Sequence, residues 1–171
     1  MKQKSNTVDL TLKTDKGIFN HRVAAVIIND NKLLAQKNTA DNSYYLVGGR
    51  VSFGESSEVA LVREIKEELE ILITDYNPLW VNECFFIDNG RKFHEIGIYY
   101  LVDISNTDFC RSEAVFEINE ANRINTYEWL DINNLESIKL YPEFIKGEIK
   151  NPNKDLKLII TNEVSNDAEY L

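Results

Sequence analysis

The chain is predicted to form one α/β domain, residues 1–171, with a mixed β-sheet between helices. Three observations carry this. Short alternating or β-branched runs recur along the chain, one strongly patterned helix interrupts them, and a second helix is expected only near the end. The order is strands, helix, strands, helix.

Val8-Asp9-Leu10-Thr11-Leu12 alternates as a half-buried strand does, and Asp15-Lys16-Gly17 is a turn signal. Val23 to Ile28 is a continuous apolar, largely β-branched run, which suits a central strand buried on both faces. Asn29-Asp30-Asn31-Lys32 turns the chain into a partner strand, Leu33-Leu34-Ala35. A polar loop, Asn38 to Ser43, leads to Tyr44-Tyr45-Leu46-Val47 and then to Gly48-Gly49. Ser56 to Leu69 reads as a helix that Ser56 or Ser57 can cap, with Glu58 in its first turn. Leu79 to Ile87 and Phe93 to Val102 form a hairpin through Asp88-Asn89-Gly90-Arg91. A strand over Asn125–Leu130, a helical turn over Asn133–Ser137, a helix from Pro142 to Ile149 and a short strand over Leu156–Ile160 complete the expectation. The polar end, Asn162 to Leu171, is expected to fray.

Composition narrows the function. A net charge of −9 repels a nucleic-acid backbone, so no polynucleotide partner is expected. A small phosphorylated ligand is still compatible, because a bound metal reverses the local sign. No apolar stretch is long enough to span a bilayer, and the segment after Met1 lacks the apolar core of a signal peptide. These features predict a cytoplasmic protein with no membrane partner. Cys84 and Cys110 are too few and too isolated for a zinc site and read as free thiols.

The informative segment is GRVSFGESSEVALVREIKEELEI, Gly49 to Ile71. At ~100° per residue, Glu64, Glu67 and Glu68 share one helix face, while Leu61, Val62, Ile65 and Leu69 centre on another. Like charges on adjacent turns repel, by a few tenths of a kcal/mol per pair on an open helix. A hard divalent cation relieves that repulsion, since Mg²⁺ prefers carboxylate oxygens, water and phosphate. On the helix alone, a solvated acidic face explains the pattern equally well. Gly48-Gly49 shifts the balance, because the pair lets the backbone turn tightly and approach a ligand. Glu55 and Arg63 bracket the helix start, where an ion pair between them would hold the loop on the helix.

With these residues in place the segment resembles the signature of the Nudix (MutT-like) hydrolases, G-x5-E-x7-R-E-U-x-E-E-x-G-U, where U is bulky and apolar. Gly49, Glu55, Arg63, Glu64, Ile65, Glu67, Glu68 and Ile71 all match. At ~7% per residue type, so many matches arise by chance in about one chain in 10⁵ of this length. The resemblance implies a Nudix-type α/β/α sandwich with a mixed sheet. The segments HRVAAVII, GGRVSFGE and FHEIGIYYLV together resemble a bacterial subgroup with undefined substrates. Two departures stand out. Glu70 replaces the second glycine, which normally ends the helix in a left-handed turn, and Val47 replaces a frequent proline and is expected to soften the loop.

The resemblance further implies an Mg²⁺-dependent, or Mn²⁺-dependent, cleavage of a pyrophosphate linkage in a nucleoside diphosphate derivative or other small nucleotide. Carried over by position, Glu64 and Glu68 bind metal, and Glu67 binds metal or orients and deprotonates water. The Gly48 carbonyl is a further ligand, and Glu55 and Arg63 support the geometry. Substrate contacts are expected from Arg22, Tyr45, Gly49 and Arg50. Family habit also implies a homodimer.

Outside the box, Glu95 is the candidate for a further metal-binding carboxylate, with a solvent-facing strand Glu as the alternative. Alternation places it on the face of Phe93, Gly97 and Tyr99. His94 then points the other way, as a hydrogen-bonded sheet histidine. Tyr44, Tyr45, Phe85 and Phe86 include either a base-stacking ring or core packing only. Two other functional classes share the fold: a non-catalytic nucleotide-sensing Nudix module, which often lacks box carboxylates, and a carbon–carbon isomerase, which needs a reactive cysteine.

Overall fold

β2 (Ile18–Asn29) is the spine of the molecule. Its apolar, β-branched centre can be buried on both faces, and it accepts neighbours along both edges. The computed structural model describes residues 8–107, 109, 114–120, 123–150 and 155–164. On one edge β2 pairs in parallel with β7 (Arg91–Asp103) from Ile18↔Phe93 to Ile27↔Val102. The other edge is shared by three antiparallel strands: β1 (Thr11–Lys13), β5 (Val47–Arg50) and, at its end, β3 (Lys32–Asn38). Beyond β7 lie β6 (Asp75–Asp88), antiparallel, and β11 (Lys157–Asn162), parallel to β6. β3 carries β4 (Ser43–Tyr45) and, through β9 (Arg123–Asp131), β8 (Val115–Glu120). β10 (Leu140–Tyr141) adds to β4. The sheet is mixed, as predicted.

Side-chain alternation sorts the core into two layers. Val23, Ala25 and Ile27 of β2 and Tyr100 and Val102 of β7 pack with Leu61, Ile65 and Leu69 of α1 (Ser57–Leu69). Val26 and Tyr99 face the other way, against Trp80, Leu135, Ile145 and Ile149. That second layer is covered by a 3₁₀ turn, Ile132–Ser137, and by the short α2 (Ile145–Glu148). The result is an α/β/α sandwich, thick on the α1 side and thin on the other.

The hairpin turns follow their sequence signals. Asp30-Asn31 and Asn89-Gly90 all take positive φ, as two-residue turns matched to strand twist require. Other expectations need correction. β8 and β10 were not foreseen, and the first strand is confined to Thr11–Lys13, with Asp9 making an isolated bridge to Ser52. The helix expected from Pro142 to Ile149 shrinks to Ile145–Glu148, with Gly147, a poor helix former, inside it. Val47, in place of the frequent proline, is fully buried and paired with Ala25 in β5. The end does not fray from Asn162, which pairs with Phe85. The Glu163 N–H then donates to Phe85 O at 2.8 Å. Residues 165–171 and Cys110 lie outside the described residues. Cys84 is a buried free thiol, its pKa pushed up to about 12 by burial. Among the described residues no helix is long and apolar enough to cross a membrane.

Candidate active site

α1 starts where Ser56 stops being helical. Its Oγ accepts from the Val59 N–H at 3.3 Å, while the Ser57 hydroxyl is engaged with Tyr100 Oη at 2.7 Å. Ser56 is therefore the cap. The far end closes at Glu70, with φ 62° and ψ 22°. The left-handed stop survives without glycine, at a conformational cost on the order of 1 kcal/mol. Between these ends Ala60, Leu61, Ile65 and Leu69 are buried, and the phase that buries them aims the glutamates at β5.

Glu68 does not stay on a fully exposed acidic face. It is 8% exposed at the margin of the apolar stripe, and its Oε2 accepts from the Gly48 N–H at 3.3 Å. Gly48 has φ +146°, and a Cβ there would overlap the Val23 carbonyl. Gly49 is required for a different reason. A Cβ on it would collide with Cδ and both carboxylate oxygens of Glu64. The double glycine thus lets two helix carboxylates lie directly against strand backbone. Burial raises the pKa of Glu64, opposed by Arg63, whose charge favours the anion.

Arg63 organises the rest. Its Nη2 donates to Glu55 Oε1 at 2.6 Å and its Nε to Glu55 Oε2 at 3.2 Å, a two-point fork. Nη2 also donates to the Arg50 carbonyl at 3.0 Å. Glu55 Oε1 accepts in addition from the Ser52 N–H at 2.7 Å. Bonding to Arg63 holds the Glu55 carboxyl below its ordinary pKa. Nη1 reaches Glu64 Oε1 at 2.7 Å and Glu67 Oε2 at 3.3 Å. The predicted Glu55–Arg63 pair is therefore the hinge between loop and helix. The Glu67 side chain is 52% exposed, against 15% for Glu64, so it is the more open to water.

The carboxylates do not close into a cage. Arg63 draws Glu64 and Glu67 to Nη1, Glu68 turns to Gly48, and among the described residues no three acidic or histidine side chains converge on one point. The donor chemistry nevertheless suits a hard cation. Glu55, Glu64 and Glu67 are three carboxylates gathered around one guanidinium, and Glu68 is a fourth on the Gly48 N–H, which leaves an excess of anionic oxygen beside a backbone with no side chain in the way.

The other predicted residues lie at varied places. Arg22 is on β2, opposite Arg50, and its charge helps keep Glu64 ionised. The Arg50 side chain pairs with Asp9 at 3.6 Å, and its carbonyl accepts from Arg63. Tyr45 is an exposed residue at the β4 edge, stacked on Tyr141 at 6.0 Å. Glu95 shares the sheet face of Tyr99, away from α1, and its Oε2 accepts from the buried Asn20 amide at 3.3 Å. His94 bonds Glu83 Oε1 at 2.8 Å between Phe19 and Phe85, the sheet histidine that was expected. Asn20, the Ser52 N–H and Glu163 were not foreseen near functional groups. Asn20 had a signal, since it shares alternation with Arg22 on one strand.

Comparison with known proteins accords with this geometry. The model of the NUDIX domain matches residues 19–148, most of the chain, and the protein belongs to the Nudix family. An ADP-ribose pyrophosphatase of Methanocaldococcus jannaschii is 32% identical over 119 residues, 68% of this chain and 64% of that protein, so the chain spans less than two thirds of that relative's length. Among solved structures, the MutT protein of Bacillus halodurans superposes with TM-score 0.61 at 13% identity, covering 84% of this chain and 89% of that one. A NUDIX hydrolase of Nitrosomonas europaea does so with TM-score 0.54 at 19% identity, covering 77% and 86%. At such identities these structures speak for the fold.

Proposed function

We propose that the chain is a pyrophosphohydrolase that splits the diphosphate linkage of a nucleoside diphosphate ester of the ADP-ribose kind, with a divalent cation, Mg²⁺ or Mn²⁺. The observation that carries the reading is the contact of the Glu64 carboxylate with the Gly49 backbone, held there by the Arg63–Glu55 fork. The similarity to the Methanocaldococcus ADP-ribose pyrophosphatase supports the substrate class.

Glu64, Glu67, Glu68 and the Gly48 carbonyl would hold the cation, which supplies charge neutralisation at the phosphates and a lowered pKa for attacking water. The chain's own groups do the rest. Glu67, the most open of the three carboxylates, receives the proton of the attacking water. The new P–O bond forms at one phosphorus as its bond to the bridging oxygen breaks, giving a nucleoside monophosphate and a second phosphate monoester. Arg22, on β2 opposite Arg50, would take a phosphate oxygen with its guanidinium. Arg63 and Glu55 position the helix and stay out of the chemistry.

The test is a screen of diphosphate esters with Mg²⁺, scoring release of monophosphates, run beside Glu67→Gln. The wild-type protein should turn over ADP-ribose, and the variant should lose about 10²- to 10⁴-fold in kcat with an unchanged melting temperature. Wild-type-like kcat in Glu67→Gln refutes the role given to Glu67. Tight binding with no turnover of any ester would replace the enzyme by a nucleotide sensor.

A further inference from the structure

On the sheet face away from α1, the ring of Tyr99 is clamped between Trp80, at 6.2 Å, and Phe144, at 5.2 Å. The residue is only 5% exposed. Its hydroxyl points along β7 over Gly97, where a Cβ would come within 3.1 Å of it. No side chain or backbone group among the described residues hydrogen-bonds that hydroxyl, which leaves it available to a ligand. Glu95 lies on the same face of β7 two residues before Gly97, Arg22 pairs with Gly97 on the neighbouring strand, and Glu163 is bonded to the residue next to Phe144, the ring that packs on Tyr99. Glu95 is steadied by the buried Asn20 amide at 3.3 Å. Glu163 stands at the exposed rim, where its Oε1 accepts from the Glu143 N–H at 3.1 Å.

This combination selects a chemical group. A ligand atom here must accept from a phenol and donate to a carboxylate. A phosphate cannot donate and is repelled by both glutamates, an ammonium cannot accept from the phenol and is repelled by Arg22, and an apolar group satisfies neither side. A hydroxyl does both, and a vicinal diol does so at two points. We infer that the Tyr99–Glu95–Glu163 cluster is a sugar-hydroxyl subsite, which takes a ribose diol of the substrate while Arg22 and the box take its diphosphate. The inference rests on the pyrophosphohydrolase reading and adds to it the polarity of binding: sugar over β7, phosphates over β2 and β5. Glu163 lies beyond residues 19–148, so this part of the specificity comes from chain outside the matched domain.

The experiment measures calorimetric Kd, with Mg²⁺, for the methylene-bridged analogue of ADP-ribose, in which CH₂ replaces the bridging oxygen and hydrolysis is blocked. A second analogue also lacks the sugar hydroxyls. The wild-type protein should bind the hydroxylated analogue more tightly. Tyr99→Phe and Glu163→Gln should each weaken it about tenfold and leave Kd for the deoxy analogue within twofold. Tyr99→Phe keeps the ring and its packing, and Glu163→Gln changes an exposed residue, so both should fold. Equal binding of the two analogues by the wild-type protein overturns the subsite. So does unchanged binding in both variants, or equal losses for the two analogues. Absence of turnover on the natural ester, with this Kd pattern intact, would overturn the hydrolase reading and leave the subsite standing.

Discussion

The Glu64 carboxylate lies against the Gly49 backbone where a side chain would otherwise stand. Gly49→Ala should therefore displace Glu64 while leaving β5 paired, since Gly49 does not have the positive φ of Gly48. We expect kcat to fall about 10²-fold or more, with far-UV circular dichroism unchanged, since misplacing a group by ~1 Å is enough for such a loss. Full activity in Gly49→Ala would show that Glu64 can work from elsewhere.

The Arg63–Glu55 fork is mostly shielded, with side chains 25% and 12% exposed. Glu55→Gln leaves Arg63 short of a charged partner and should cost roughly 1–3 kcal/mol. The pH dependence has a definite sign. Arg63 depresses the folded pKa of Glu55, so its stabilisation is complete above the unfolded value of roughly 4.3 and is lost as pH falls through the folded value. Urea melts should show a wild-type advantage over Glu55→Gln at pH 7 that shrinks below pH ~4. A constant gap across that range would contradict the assignment.

Glu70 occupies a left-handed backbone position with a residue that does not favour it. Glu70→Gly should stabilise the protein by about 0.5–1 kcal/mol, a rise of a few degrees in Tm, with kcat unaffected. A drop in Tm would mean that the Glu70 side chain contributes a contact worth more than the strain.

Cys84, buried and with its pKa raised to about 12, should resist alkylation at pH 8 in the folded protein and react once the chain is unfolded in urea. Mass mapping of iodoacetamide adducts distinguishes the two. Rapid labelling of folded Cys84 would favour the carbon–carbon isomerase class, which needs a reactive cysteine.

What the sequence revealed divides along the range of the interactions involved. α1 was legible because its cap, its apolar spacing and the box residues lie within one short segment. The hairpin turns were legible because Asp-Asn and Asn-Gly favour positive φ locally. Alternation also put Glu95 on the sheet face of Tyr99. β10 was hidden because two residues become a strand only by lying parallel to β4. β8, whose buried Phe116 and Ile118 alternate with Glu117 and Asn119, carries a period-two signal over a few residues only and becomes a strand by pairing with β9. Glu68 leaves the acidic face for Gly48 because β5 passes beneath it, which a helical wheel does not contain. Glu163 reaches the cleft through parallel pairing of β11 with β6, a contact distant in sequence.

The most direct measurement is ADP-ribose turnover, followed as AMP release, by wild-type protein and Glu64→Gln with Mg²⁺ and with EDTA. The account predicts Mg²⁺-dependent release that EDTA abolishes and that Glu64→Gln lowers by at least about 10²-fold at unchanged Tm. Turnover that persists in EDTA, or that Glu64→Gln leaves intact, would contradict it.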